Sequence, residues 1–188
     1  MKNKFQLIFT VLLAIAMPVL AELPANSVWQ LNAKITEQNG KTISIQDLAG
    51  KPRLVSMFYS SCPFMCPLII NTALAVQHDL SPQERDKLGV LMISIDPKKD
   101  TTKVLLELMT KRKLNPNEWT LARADEKDVR AIAALLNIRY RELEGGDFNH
   151  TSVLILIDAQ GRIIARTEKM GTQPEPEFLL AVHKLLNQ

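Results

Sequence analysis

Apolar and polar positions change their period several times along the 188 residues, and each change marks an element. The stretch VWQLNAKITEQNGKTISIQDL, from Val28 to Leu48, alternates at period two and breaks at Asn39-Gly40, the strongest two-residue hairpin signal. A β-rich apolar run from Leu54 to Tyr59 follows and ends at the first cysteine. From Pro63 to about His78 the apolar positions are 65, 68, 69, 70, 73, 74 and 76, which predicts a largely buried helix with Pro63 in its first turn and Pro67 near its start. GVLMISIDP predicts a second buried strand, and DTTKVLLELMTKRKL a helix capped by Asp100 or Thr101. WTLARA reads as a short strand and DEKDVRAIAALLNI as an amphipathic helix. TSVLILIDAQGRIIARTE is a hairpin turning at Ala159-Gln160-Gly161, and EPEFLLAVHKLL is a closing helix.

Strands and helices alternate in the first half, and a strand pair with a helix ends the chain. That order resembles the thioredoxin-like layout: an α/β fold with a central mixed sheet, helices on both faces and an N-terminal β-hairpin. Residues 22–188 carry no internal repeat or low-complexity tract, which predicts one domain.

Composition agrees with a packed core, with 46% hydrophobic and 23% charged residues excluding a disordered chain. The first residues stand apart. MKNKFQLIFTVLLAIAMPVLAE has Lys2 and Lys4, an apolar run from Phe5, Pro18, and small Ala21 before Glu22: a secretory signal peptide over 1–21, cut after Ala21. The competing reading is an uncleaved membrane anchor, because the run to Ala21 is near the lower limit of about 17 residues for a spanning helix. Either way the domain is exported, and a periplasmic location is expected. The formal charge of +3 loses Lys2 and Lys4 with the leader and falls to +1, so no electrostatic footprint for nucleic acid is left.

Export changes how the only two cysteines, Cys62 and Cys66 in SSCPFMCPL, are to be read. A disulfide between them would close a very short loop and add little stability, which favours a working, redox-active pair. A helix start stabilises a thiolate, and spacing i to i+4 sets both sulfurs on one side of the first helical turn. Such a pair suits Cu(I), Zn(II) or reversible disulfide closure, and a metal would need one or two further ligands. The chain offers His78, His150 and His183. His78 falls at the far end of the cysteine helix and His183 on the last helix, where both read as ordinary surface or half-buried histidines. His150 immediately precedes a strand expected to run antiparallel to the one ending at Tyr59, which carries it toward the sulfurs. An ordinary histidine at a strand entrance is the other reading.

SSCPFMCP at 60–67, ISIDPKKDT at 93–101 and GDFNHTSVLILIDAQGRI at 146–163, in this order, resemble the Sco/SenC family of copper-binding proteins, exported thioredoxin-like domains that serve assembly of the copper A centre of cytochrome c oxidase. The resemblance covers nearly all of the mature chain. It implies Cys62, Cys66 and His150 as copper ligands, a thiol pair that can be oxidised to a disulfide, and as partners the copper A subunit of the oxidase or another exported copper protein, together with a thiol reductant. Binding and passing on copper requires no turnover of a small substrate, so a copper chaperone is expected, with thiol–disulfide oxidoreduction as the enzyme activity left open; a monomer is expected. Asp96 and Asp100 match the family's Asp-Pro block, with turn and helix cap as their plain roles. The chain departs from the family in placing Phe64 and Met65 between the cysteines, an apolar pair that would shield the thiolates or face a partner; Met65 is also weighed as an extra soft ligand.

Three rivals share these residues. A thiol–disulfide oxidoreductase would use the same sulfurs, although its usual pair is one residue closer and a proline stands where His150-Thr151 is found here. A peroxidase of the peroxiredoxin type would need a proline at position 55, which is Val, and has only Ser61 to offer beside the cysteine. A structural zinc site would need four protein ligands, and three credible ones are present.

Overall fold

A computed structural model of the protein describes residues 23–188; the leader read over 1–21 lies outside the described residues. The elements in chain order are β1 (Lys34–Glu37), β2 (Thr42–Ser44), β3 (Arg53–Phe58), α1 (Met65–Asp79), α2 (Pro82–Lys87), β4 (Gly89–Ser94), α3 (Thr102–Lys111), β5 (Trp119–Ala124), α4 (Glu126–Leu135), β6 (Tyr140–Glu142), β7 (Phe148–His150), β8 (Leu154–Ile157), β9 (Ile163–Thr167) and α5 (Pro176–Leu186). Two 3-10 turns, Val28–Gln30 and Ile45–Leu48, flank the first hairpin.

Seven strands form one mixed sheet in the order β2-β1-β5-β4-β3-β8-β9. β3, β4 and β5 run parallel, while β1 and β8 pair antiparallel on either side of them. Every residue of β4 and all but the first of β3 are buried, as expected of parallel strands covered on both faces. Phe58 shares a crevice with Ile70 of α1 and Leu108 of α3 on one face. Val55, pointing the other way, shares one with Trp29 and with Ile132 and Leu135 of α4. Helices therefore cover both faces, and truncating a fully buried side chain such as Phe58 to Ala would cost about 3–5 kcal/mol.

The first hairpin turns at Gly40, whose φ of 86° a side chain would resist. The late hairpin turns at Gly161, with φ 87°; there a Cβ would also press to 2.7 Å from the Trp29 ring, so this turn doubles as the seat of the N-terminal 3-10 turn.

Three local expectations change. α1 begins at Met65, not Pro63. A helix begun at Pro63 would place the Pro67 ring against the carbonyl four residues back, whereas from Met65 Pro67 is the third helical residue, where no N–H is needed. Thr101, not Asp100, caps α3, its side chain accepting from the Val104 N–H. Two elements come in addition to the pattern: α2, started by a capping box between Ser81 and Glu84, and the separate hairpin β6–β7.

Candidate functional site

β3 ends at Phe58 on the carboxyl edge of the parallel strands, where open α/β sheets place their sites. The chain then turns through Tyr59-Ser60-Ser61-Cys62, with the Cys62 N–H donating to the Tyr59 carbonyl at 3.2 Å, before entering α1. Cys62 thus stands ahead of the helix and only Cys66, the second helical residue, lies within it. The shared first helical turn read from the i to i+4 spacing is therefore not formed.

This difference gives the two sulfurs different chemistry. Cys62 is half-buried. Burial alone would raise its pKa, but the backbone N–H groups of Cys66 and Phe64 at the open helix end, with the side chains of Cys66 and Tyr59, hold the thiol below its ordinary value. Cys66 is only 3% exposed. Burial pushes its thiol up, and this outweighs the Tyr59 N–H that donates to its Sγ at 3.3 Å.

His150, the last residue of β7, reaches this point from the opposite side. Its Nε2 is 3.7 Å from Cys66 Sγ. Its Nδ1 is 3.1 Å from the Thr151 carbonyl, which can only accept, so the proton sits on Nδ1 and Nε2 keeps its lone pair toward the sulfur. Burial depresses the imidazole pKa, favouring the neutral ring.

Tyr59 fills the angle between these groups. Its ring meets Phe148 edge-on at 5.4 Å and His150 edge-on at 5.9 Å between centroids. Burial pushes its phenol up to about 12, so the hydroxyl remains a donor. Behind it, the buried Asp100 carboxylate accepts from the Ser60 N–H at 3.1 Å, from the Ser60 hydroxyl, and from Ser94 Oγ at 2.6 Å, tying the cysteine turn to the end of β4. Phe64, Met65 and Leu68 are exposed, Phe64 to 77%, and form an apolar rim beside the thiols.

Of the three histidines, only His150 is beside a sulfur. His183 is held by Glu84 at 2.8 Å and Asp79 at 3.1 Å, and His78 is exposed at the end of α1. Cys62, Cys66 and His150 meet as a chain of neighbours, and among the described residues no three His, Cys, Asp or Glu side chains already surround a common point. The donor set, two thiols and an imidazole lone pair, suits a soft or borderline cation, and the paired thiols suit disulfide exchange. Pattern gives no sign of Tyr59, Phe148 or the true role of Asp100; the available signal was an aromatic residue three before the first cysteine, at the end of a buried strand.

Among known proteins, the family model described as SCO1/SenC matches residues 29–186. A SCO2-like protein of Rickettsia felis is 28% identical over 137 residues, 70% of this chain and 65% of that protein, so the chain spans just under two thirds of that relative's own length. The solved structure of a SCO1/SenC family lipoprotein from Bacillus anthracis superposes with a TM-score of 0.71 at 20% identity, covering 82% of this chain and 96% of that one. ScoI of Bradyrhizobium japonicum, solved with copper bound, superposes at 0.65 and 23% identity, covering 81% and 96%. At these identities the structural likeness is one of fold.

Proposed function

The chain belongs to the SCO1/SenC family, and from that premise we propose that it is an exported copper carrier in which Cys62, Cys66 and His150 hold the ion as cargo. The observation that carries this reading is the 3.7 Å separation of Cys66 Sγ and His150 Nε2, with the imidazole lone pair directed at the sulfur. The copper bound in the Bradyrhizobium protein supports it. Cys62, on the solvent side and with the more readily lost proton, is the first donor to meet an incoming ion; Cys66 and His150 close on it from within. Three donors leave the ion open on one side, so an acceptor with more ligands takes it by exchange.

Oxidation of the two thiols to a disulfide, with two protons and two electrons passing to an oxidised thiol–disulfide partner, removes both sulfur donors and blocks reloading. The acceptor in this reading is the copper A subunit of cytochrome c oxidase or another exported copper protein. A removable leader puts the carrier in the periplasm; a retained one tethers it to the inner membrane.

A second reading has its own support. One half-buried thiol of lowered pKa beside a buried thiol of raised pKa is the asymmetry of an attacking and a resolving cysteine, as in a thiol–disulfide oxidoreductase. Copper titration of the reduced protein, wild type beside Cys62→Ser, Cys66→Ser and His150→Ala, separates the two. One ion bound per chain and weakened by each substitution supports the carrier. Copper binding indifferent to His150, with rapid reduction of disulfide substrates, replaces it with the oxidoreductase.

A further inference from the structure

Hairpin β6–β7 is not part of the main sheet. Its two strands have three residues each, and a two-stranded ribbon of this size does not hold its shape or place in water unaided. Yet it carries His150. The pairing register explains what it offers to the rest of the molecule. The Leu143 N–H donates to the Asp147 carbonyl and the Thr151 N–H to the Arg139 carbonyl, so the alternate pairs Glu142–Phe148 and Tyr140–His150 exchange no ladder bonds. Phe148 therefore turns its N–H and its carbonyl outward, and a single atom meets both. Tyr59 Oη is 3.3 Å from the Phe148 carbonyl oxygen, to which it donates, and 3.4 Å from the Phe148 nitrogen, from which it accepts.

The same residue touches the other donors. Its backbone N–H is bonded to Cys66 Sγ at 3.3 Å and its ring packs edge-on against His150. Tyr140, across the hairpin, completes the packing with Phe148 at 6.2 Å between centroids. Apart from the long Cys66 Sγ–His150 Nε2 contact at 3.7 Å that is itself to be positioned, a further polar tether, from Lys99 Nζ to the Gly146 carbonyl at 2.8 Å, comes from an exposed lysine at the hairpin tip and does not reach His150. A hydroxyl on β3's continuation thus stands where a third strand would, and couples the backbone of the imidazole-bearing strand to the residue that holds the sulfur.

We propose that Tyr59 is the positioning residue of this site: its hydroxyl docks β7 and so fixes His150 within reach of the thiol pair. The proposal rests on the copper reading only for what His150 is held toward; the docking itself does not need the metal.

The test is Tyr59→Phe, which keeps the ring and the backbone N–H and removes the hydroxyl alone. In the metal-free, reduced protein, amide exchange at Phe148 should quicken by about tenfold, while amides of β3 and β4 keep their protection. Copper affinity should fall between about twofold and tenfold in Tyr59→Phe, and by clearly less when the same change is made in a His150→Ala background, because only the hydroxyl's contact with the Cys62 thiol is then left to lose. Unchanged exchange at Phe148 overturns the proposal, as does an equal loss of copper affinity with and without His150. If the wild type takes up no copper, the carrier reading fails, and the metal-free exchange comparison still decides the role of Tyr59.

Discussion

Cys66 Sγ and His150 Nε2 are separated by 84 residues of chain and by 3.7 Å of space. The antiparallel pairing of β3 with β8 sets this up, because the start of β8 must lie where β3 ends. The ladder releases β8 after Ile155 pairs with Val55; beyond it Ser56 Oγ donates to the Val153 carbonyl at 2.6 Å, and the chain swings out into β7 over the cysteine turn.

His150→Ala should therefore weaken copper binding more than loss of an outer-shell partner does, beyond the roughly 10–100-fold typical of the latter. The Cys66 thiol loses the acceptor beside it and the Tyr59 ring its edge-on neighbour, so thermal stability should fall modestly, by about 1–2 kcal/mol. Isothermal titration and a melting curve on the same sample check both halves. A variant with wild-type affinity would remove the third donor from the site.

The two cysteines should react at different rates. In the reduced, metal-free protein Cys62 is half-exposed with a lowered thiol pKa, whereas Cys66 is buried with a raised one. Since alkylation follows the thiolate, labelling with iodoacetamide at pH 7 should modify Cys62 faster by at least about tenfold. The Cys62 rate should rise with pH around a midpoint below the ordinary thiol value. Mass spectrometry of timed digests reads this directly, and equal labelling of both sites would contradict the hydrogen bonding drawn at the helix end.

Much of this was readable in the chain because its strongest signals are dictated locally. The apolar runs of β3, β4 and β8 and the Asn39-Gly40 turn need no tertiary context, and the side-by-side ends of β3 and β8 follow from topology. The start of α1 depended on one steric rule, the Pro67 ring against the carbonyl four residues earlier, and with it went the position of Cys62 outside the helix. Ser81-Pro82-Gln83-Glu84 carries a complete capping-box signature for α2 and was legible in principle. Hairpin β6–β7 was not: Tyr140-Arg141-Glu142 and Phe148-Asn149-His150 are too short to show a period, and tertiary contacts, above all that of Tyr59 with Phe148, define them.

Asp100 should matter to stability and to the buried thiol together. Asp100→Ala leaves the Ser60 N–H and the Ser94 hydroxyl without their acceptor in the interior, a loss of about 1–3 kcal/mol. For a chain of this size the melting temperature drops roughly 2–4 °C per kcal/mol. Burial is the main reason the Cys66 thiol is raised, with smaller contributions that include the Asp100 charge. Removing that charge should therefore speed alkylation of Cys66 while leaving Cys62 nearly unchanged. A destabilised variant with both labelling rates equally increased would point to general opening of the turn instead.

The closing helix provides a pH signature away from the thiols. His183 on α5 sits between Glu84 and Asp79, and hydrogen bonds to those two carboxylates, that to Glu84 first, raise its pKa above 6.5. In turn, bonds from His183, Ser81 and Asn187 hold Glu84 down to about 2. A raised histidine stabilises the fold fully below its unfolded value, near 6.5, and loses that contribution as pH climbs through the folded value. A depressed carboxylate stabilises above its unfolded value, near 4.5, and loses its contribution as pH falls toward about 2. The two overlap from about pH 4.5 to 6.5, so the melting-temperature deficit of His183→Gln should be largest there and shrink toward both pH 8–9 and pH 2–3. The neutral glutamine can donate to only one of the two carboxylates, so a small constant deficit is expected beneath the pH-dependent part. Melting curves across that range compare the variant with the wild type at each pH, and a deficit of the same size throughout would mean that packing, not the charge on His183, secures α5 against α1 and α2.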